Sequence, residues 1–421
     1  MRSKLSSKYV SSIIKTDKGF SLAKKTLNLK NKKRINEDTE PVYSGKEVEI
    51  AGRTLKKPET LEDKNIFTDA MNVLYYWRNL HEVPMENAFK LLENIVQKHD
   101  RKAFVAKRSK RYFSIVRKLN IETKMNLRNM QDIAGCRAIF TSKKKLGKAY
   151  NELRKNTVFK KDNGELRVKD YISIPKPSGY RSIHIVGKFS DNNNKNKSVE
   201  IQLRTKIQHH WATALEIIDI FTNQALKSNM GNEDWAKIFK QISYQFEIME
   251  KIHLYDNLQP LEQYSKYKKM VVDEKHGMEH GLVIQSIYDI DRLQRKLKVI
   301  EQLNAFASSI EVMDKKIRES GFDGYALLVI DPQKGEIASN LFDLDNVKEA
   351  FEEYLNVEKK HAKNKDIVVS MVSTNSIGGL PEAYPNYFAD STIFLTNLTY
   401  IVNLKNELDP SWIRKALSSM S

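Results

Sequence analysis

The chain has 421 residues, of which 40% are hydrophobic, and its 71 Lys and Arg against 53 Asp and Glu give a net charge of +18. A chain of this length and composition can bury a sizeable core, so disorder throughout is excluded. No apolar run is long enough to cross a membrane, and the positive charge favours phosphate-bearing partners.

The cysteine content indicates the compartment. The single cysteine, Cys136, cannot form an internal disulfide or a cysteine-based zinc site, which is typical of a reducing environment. We therefore expect a cytoplasmic protein with no membrane partner. The first 34 residues carry eleven Lys and Arg against Asp17 alone. This composition resembles a mitochondrial presequence, but it favours a solvated basic arm.

The periodicity of apolar residues predicts a mixed α/β fold. Amphipathic helices are expected over 66–77 and 89–96, and strands over 133–140 and 199–203, the second preceded by a hairpin loop at 191–197. A helical pattern then runs from 211 to 306. A second α/β unit follows, with apolar strands at 325–330 and 367–372 and a helix around 347–355.

These elements divide the chain into four predicted segments. They are a basic arm and linker (1–65), an α/β domain with a mixed β-sheet flanked by helices (66–230), a helical connector (231–306) and a smaller C-terminal α/β domain (307–421).

The segment 101–118 has eight cations and no acid. Helical spacing would place Lys110, Ser114 and Lys118 on successive turns of one face, with Arg108 close by. Such a row of donors suits a polyphosphate, although an ordinary solvated basic face has the same pattern.

Two carboxylates fall at or within predicted core strands. Asp132 precedes the strand at 133–140, and Glu200 lies inside the alternating strand at 199–203. A buried carboxylate needs a cation or a hydrogen-bond partner. Ion pairs with Arg137 and Arg204 would satisfy this need, whereas the functional interpretation is a Mg²⁺ site completed by substrate phosphates.

Between these strands, a loop containing two prolines and a glycine carries Tyr180 among the cations Lys176, Arg181 and His184. We expect the loop to be exposed and to hold a base and its phosphate by stacking and charge. A Pro-Gly turn with an incidental tyrosine is the alternative.

Taken in order, these motifs resemble the synthetase domain of the RelA/SpoT homologues, over about residues 66–230. The matching motifs are Arg108-x-Lys110-x-x-x-Ser114-x-x-x-Lys118, Asp132-Ile-Ala-Gly-x-Arg137, Lys176-Pro-x-Gly-Tyr180-x-Ser-x-His184 and Glu200-x-Gln-x-Arg-Thr205. Ser178 departs from the family pattern, in which nucleotide-making members usually carry Asn. A His-Asp hydrolase region is missing, so breakdown of an alarmone is not expected.

The resemblance implies a transfer of pyrophosphate from ATP to a 3′-hydroxyl, with ATP as co-substrate and Mg²⁺ as cofactor. It assigns the ATP phosphates to Arg108, Lys110, Ser114 and Lys118, and the vicinity of the adenine to Arg137. It assigns metal binding to Asp132, metal binding or activation of the hydroxyl to Glu200, and acceptor binding to Lys176, Tyr180 and His184.

Further motifs, among them His209-His210-Trp211 and Tyr384-Pro385-Asn386-Tyr387, resemble the fused toxic small alarmone synthetases of toxin–antitoxin and phage-defence systems. This resemblance implies that the CCA end of tRNA is the acceptor and that translation stops. It also implies a C-terminal antitoxin-like region in which Tyr384 and Tyr387 block the ATP site until a partner, such as a phage protein, binds.

The sequence therefore favours a tRNA pyrophosphokinase over a GDP or GTP pyrophosphokinase. A non-catalytic RNA-binding module is a further alternative, because charge and stacking tyrosines need no chemistry. The pair Asp132 and Glu200 speaks against that alternative, since each carboxylate would repel phosphate. No DNA partner is expected.

Overall fold

The computed structural model describes residues 42–57, 64–110, 112–191, 193–222, 233–272, 280–304, 324–331, 336–343, 346–361, 367–373 and 391–408. Its helices are α1 (Gly45–Leu55), α2 (Lys64–Asn79), α3 (Glu82–His99), α4 (Tyr112–Ile121), α5 (Lys143–Leu153), α6 (Lys206–Thr222), α7 (Glu233–Lys251), α8 (Pro260–Val272), α9 (His280–Leu297), α10 (Val347–His361) and α11 (Ser391–Glu407). Its strands are β1 (Phe104–Ser109), β2 (Ala134–Phe140), β3 (Val168–Asp170), β4 (Ile183–Ser190), β5 (Asn196–Thr205), β6 (Gly324–Asp331), β7 (Glu336–Asp343) and β8 (Val368–Ser373). The predicted mixed α/β fold class is confirmed.

The larger sheet has five strands in the order β1-β2-β5-β4-β3. Its central pair, β2 and β5, is parallel, with Gly135 opposite Glu200, and the other pairs are antiparallel. The predicted hairpin is the connection between β4 and β5. Asp132 lies just before β2, and Glu200 lies on β5. The pairing of these two strands therefore brings the two residues close together.

The two faces of this sheet differ in chemistry because side chains alternate along a strand. Val199, Ile201 and Leu203 of β5 are fully buried on one face and pack with apolar residues of α3 and α5. Glu200 and Gln202 lie between them in sequence and therefore point to the opposite face. The polar face is the one that carries the predicted site.

The predicted helical row of cations is wrong for Lys110. Residues 104–109 form β1, which pairs with β2 along its whole length, and α4 begins only at Tyr112. Lys110 lies in the connection, where its backbone N–H donates to the carbonyl of Ile133 (2.7 Å). The hydrogen bonds and packing between β1 and β2 stabilise the strand, whereas a helical spacing of polar residues provides no tertiary packing that would stabilise a helix. Of Lys110, Ser114 and Lys118, the last two lie on α4.

Helix α4 is fixed beside the sheet by a small apolar core shared with α1 and α2. Ile115 and Leu119 of α4 are buried there, together with Leu127 and Ile133. Burying this face of α4 leaves Lys118 directed toward the start of β2.

The helices after the sheet form a second, larger core. It includes Trp211 of α6, Phe239 of α7 and Phe394 of α11, and the rings of Phe239 and Phe394 are stacked with centroids 5.8 Å apart. The apolar face of α9, which contains Ile287 and Ile290, is fully buried in the same core. Helix α11 therefore packs with helices of the predicted connector, and the four predicted segment boundaries remain a prediction.

A three-stranded sheet with the order β7-β6-β8 lies in the C-terminal part. Leu327 and Phe342 of this sheet pack against Ala350 and Tyr354 of α10. In the part of the chain that the structure describes, no helix combines the length and apolar character needed to cross a bilayer.

Candidate active site

Asp132 is held by two lysines from different elements. The Nζ of Lys110 lies 2.8 Å from its Oδ2, and the Nζ of Lys118 lies 3.0 Å from its Oδ1. Burial acts to raise the pKa of Asp132, but the charges of Lys110 and Lys118 outweigh burial and hold this pKa below its ordinary value of 3.8. Asp132 is therefore an ionised carboxylate between two cations.

Glu200 is the second carboxylate of the site. His184 Nδ1 lies 3.0 Å from its Oε1, and Gln202 Nε2 donates to its Oε2 at 2.7 Å. Burial favours the neutral form, but the charge and hydrogen bond of His184, the bond from Gln202 and the charge of Lys110 keep the pKa of Glu200 well below its ordinary value. The alternative in which Glu200 pairs with Arg204 is wrong, because His184 and Gln202 contact the carboxylate and Arg204 donates to Tyr180 and Gln202 instead.

The two carboxylates are close enough to influence each other, since the charge of Glu200 raises the pKa of Asp132. Glu200 lies on β5, and Asp132 lies just before β2, the strand that pairs with β5. The alternative pairing of Asp132 with Arg137 is also wrong, because Arg137 instead donates to Gln202 Oε1 at 3.4 Å. Two carboxylates and several cations therefore meet on one face of the sheet.

His184 connects Glu200 to Tyr180. Its Nε2 lies 2.8 Å from the Tyr180 hydroxyl, which also accepts a 2.5 Å hydrogen bond from Arg204 Nη2. Burial would lower the pKa of His184, but Tyr180 and Glu200 outweigh it and raise this pKa above its ordinary value of 6.5. A protonated His184 donates from Nδ1 to Glu200, because an ionised carboxylate can only accept.

The expectation that Tyr180 presents an exposed aromatic face is wrong in this structure. Its side chain belongs to a residue only 5% exposed, and the ring packs near Trp211 of α6. Lys176 Nζ and Arg204 Cζ each lie 5.0 Å from the ring centroid. The surrounding protein, which a Pro-Gly loop does not reveal, covers the ring.

Sequence reasoning missed Tyr171, which is less buried than Tyr180. Its ring meets His184 edge-on at 5.2 Å, and Lys176 Nζ lies 4.7 Å from its centroid. Tyr171 precedes the loop by only a few residues, so its position in the sequence could have suggested a place at the site. The spacing alone does not show which of Tyr171 and Tyr180 is the more exposed. Sequence reasoning likewise missed Gln202 as a donor to Glu200 and Arg204 as a donor to the Tyr180 hydroxyl.

The other predicted ATP ligands lie on β1, β2 and α4. Arg137 is buried on β2, Arg108 pairs opposite Gly135 in the register of β1 and β2, and Ser114 is partly buried on α4. Tyr384 and Tyr387, predicted to be autoinhibitory, lie outside the described residues. Both sets of assignments remain predictions.

The donor set fits Mg²⁺, which prefers carboxylate oxygens and usually completes its shell with water and substrate phosphates. Asp132 and Glu200 would hold it. Within the described ranges, no cluster of three or more His, Cys, Asp or Glu side chains could hold a metal ion by itself. A bound Mg²⁺ would therefore depend on the substrate as well as on these two residues.

Part of the chain is similar in sequence to known proteins. Residues 107–224 match the model of a region found in RelA / SpoT proteins. The chain is 34% identical over 128 residues to the GTP pyrophosphokinase YwaC of Bacillus subtilis, a match that spans 28% of this chain and 59% of YwaC. It is 37% identical over 108 residues to a probable guanosine-3′,5′-bis(diphosphate) 3′-pyrophosphohydrolase of Synechocystis, spanning 25% of this chain and 13% of that protein.

Similar solved structures include small alarmone synthetase 1 of Bacillus subtilis bound to its product pppGpp, with 25% identity and a TM-score of 0.35 over 42% of this chain and 93% of that one. A GTP pyrophosphokinase family protein of Streptococcus pneumoniae has 25% identity and a TM-score of 0.34 over 45% of this chain and 97% of that one. The resemblance to toxin–antitoxin and phage-defence fusions stays a prediction. Residues 107–224, which build the carboxylate-bearing face, thus match a region found in RelA / SpoT proteins.

Proposed function

We propose that this chain is an ATP-dependent pyrophosphokinase that acts on GDP or GTP. The observation that carries the proposal is the placement of Asp132 and Glu200 on one sheet face, with Lys110 and Lys118 beside them. Cations bind phosphates and carboxylates bind a metal or accept a proton, so the set provides both halves of a phosphoryl-group transfer.

In the proposed reaction, the 3′-hydroxyl oxygen of the acceptor forms a bond to the β-phosphorus of ATP. The bond between that phosphorus and the oxygen bridging it to the α-phosphorus breaks, and AMP leaves. The hydroxyl proton passes to Glu200, which is ionised at neutral pH. Mg²⁺, when bound, would neutralise charge on the phosphates.

Lys110 and Lys118 have a second part in this scheme. Both are paired with Asp132, and together they balance its charge with an excess of one positive charge. The excess favours the entry of an anionic polyphosphate. Metal binding at Asp132 would free the lysine ammonium groups to contact phosphate oxygens.

The acceptor is proposed from the relatives. The sequence alone favours tRNA, but the curated relative named above is a GTP pyrophosphokinase, and this supports a guanine nucleotide more strongly. tRNA remains a second candidate because the net charge of +18 exceeds the need of a mononucleotide. Control by Tyr384, Tyr387 and a protein trigger remains a proposal from the sequence.

Incubation of the full chain with γ-labelled ATP, Mg²⁺ and either GDP, GTP or bulk tRNA tests the proposal. We expect labelled guanosine tetra- or pentaphosphate with AMP as co-product. Labelled tRNA without a labelled nucleotide would show that tRNA, the second candidate, is the acceptor. Absence of label on every acceptor would overturn the enzyme assignment and leave an RNA-binding module.

A further inference from the structure

The loop that precedes β4 is fastened to α7, a helix that lies outside the RelA/SpoT-type region. Ser243 Oγ donates to the carbonyl of Gly179 at 2.5 Å, and Arg181 Nη2 donates to Glu247 Oε2 at 2.5 Å. Ser243 and Glu247 are four residues apart and thus share one face of α7. That face holds the loop at two adjacent points.

Gly179 shows how closely the loop and α7 approach each other. Its φ of +91° lies in the left-handed region, and a Cβ there would stand 2.9 Å from the Cβ of Ser243 and 3.1 Å from the Cα of Lys240. A side chain would therefore need both a strained backbone and a displacement of α7. The contact is specific to glycine.

Arg181 closes the arrangement from the other side. Its Nε lies 3.3 Å from Ser243 Oγ, and its Nη1 donates to the carbonyl of Ile172 at 3.2 Å. The guanidinium thus joins α7 to both ends of the loop that contains Lys176 and Tyr180. The sequence predicts Arg181 to be one of the cations around Tyr180, but its guanidinium is turned toward Glu247.

Helix α7 is itself held firmly. Trp211 Nε1 of α6 donates to the carbonyl of Phe239 at 2.9 Å, and Gln245 Nε2 donates to the carbonyl of Val283 on α9 at 3.0 Å. The stacked rings of Phe239 and Phe394 add the contact with α11. A rigid support is what a loop needs in order to keep one geometry.

We propose that Ser243 and Glu247 are positioning residues of the transfer reaction, an inference that rests on the proposed function. They fix the loop at 176–181, and the loop places Tyr180 against His184, which in turn contacts Glu200. Because Lys176 and Tyr171 line the same loop, the anchors act on the acceptor side of the site. The ATP side, around Lys110 and Lys118, is built on other elements.

The test compares Ser243→Ala and Glu247→Gln with Asp234→Asn, a matched loss of charge on α7 where Asp234 pairs with Lys296 (2.5 Å) away from the loop. Steady-state KM for the acceptor and for ATP is measured on full-length variants. We expect the acceptor KM to rise roughly tenfold in the two anchor variants, as for loss of a charged hydrogen bond. The KM for ATP and the behaviour of Asp234→Asn should match the parent.

A double-mutant cycle adds a reading that a merely structural role would not give. Arg181→Gln removes the ion pair with Glu247 and also the contacts with Ser243 and Ile172, so it should raise the acceptor KM at least as much as Glu247→Gln. The double variant should match Arg181→Gln, because the ion pair is lost in either single variant. Equal changes in both KM values, unchanged acceptor KM in folded variants, or failure of both anchor variants to fold would overturn the positioning role. A parent that labels no acceptor would instead overturn the proposed function.

Discussion

The ammonium group of Lys110 lies 2.8 Å from a carboxylate oxygen of Asp132, although 22 residues separate them and neither lies within a helix or strand. Strand β1 ends just before Lys110, and β2 begins just after Asp132. The antiparallel pairing of these two strands therefore brings the two residues together at one edge. The register of β1 and β2 thus determines that Lys110 and Asp132 form an ion pair at the site.

The first prediction concerns the carboxylate of Glu200. Glu200→Gln retains the shape of the side chain and an oxygen that can accept the hydrogen bond from Gln202. It removes the carboxylate that accepts the hydroxyl proton. We expect the transfer rate at saturating ATP to fall by about 100-fold or more, as measured with γ-labelled ATP. The affinity for ATP measured by equilibrium binding without Mg²⁺ should stay unchanged. Transfer at the parental rate would show that Glu200 is not the base.

The second prediction concerns the hydroxyl of Tyr180. Tyr180→Phe keeps the buried ring but leaves His184 Nε2 and Arg204 Nη2 without this acceptor. We expect the free energy of unfolding in urea to fall by about 1–3 kcal/mol. Tyr180→Ala would be a poor probe of base stacking, since deleting a buried ring also leaves a cavity. A Phe variant as stable as the parent would contradict the described hydrogen bonds.

The third prediction is a pH dependence of stability. The pKa of His184 is raised above 6.5 in the folded protein, so the folded state binds this proton more tightly than the unfolded state. Its stabilising contribution is complete below pH 6.5 and disappears as the pH rises through the raised value. The difference in unfolding free energy between the parent and His184→Gln should therefore be larger at low pH than at high pH, within the range where both fold. A constant difference would contradict this assignment.

The fourth prediction uses Cys136, the single cysteine of the chain. It is 2% exposed, and burial raises its pKa to about 12. Since only the thiolate reacts readily, iodoacetamide should leave the folded protein unmodified at mildly alkaline pH and should label it fully in urea. Mass spectrometry reads the result directly, and rapid labelling of the folded protein would contradict the burial.

The sequence predicted the strand alternation of β5 correctly, because Val199, Ile201 and Leu203 have a period of two and a buried face selects that register. It could not predict that Lys110 stands outside α4, since the row Lys110, Ser114 and Lys118 fits a helix equally well. Only the pairing of β1 with β2 decides between the two.

The burial of Tyr180 could not be predicted from the sequence of its loop, for a related reason. Its surroundings come from α6 and α7, whose contacts with the loop depend on the tertiary fold and leave no mark in the loop itself. The ion pair of Arg181 with Glu247 spans 66 residues in the same way. Residue types at a site can thus be read from a motif, whereas their exposure and partners depend on distant segments.

The parallel pairing of β2 with β5 also bears on the order in which the parts of the candidate site form during synthesis. Gly135 cannot meet Glu200 until the intervening segment, including the β4–β5 hairpin, has left the ribosome and closed. Closure over so long a separation is slow relative to local hairpin or helix formation. A nascent chain that ends before β5 would carry Asp132 and its lysines without Glu200, so the proposed phosphate-binding groups would be present before the proposed transfer site is complete.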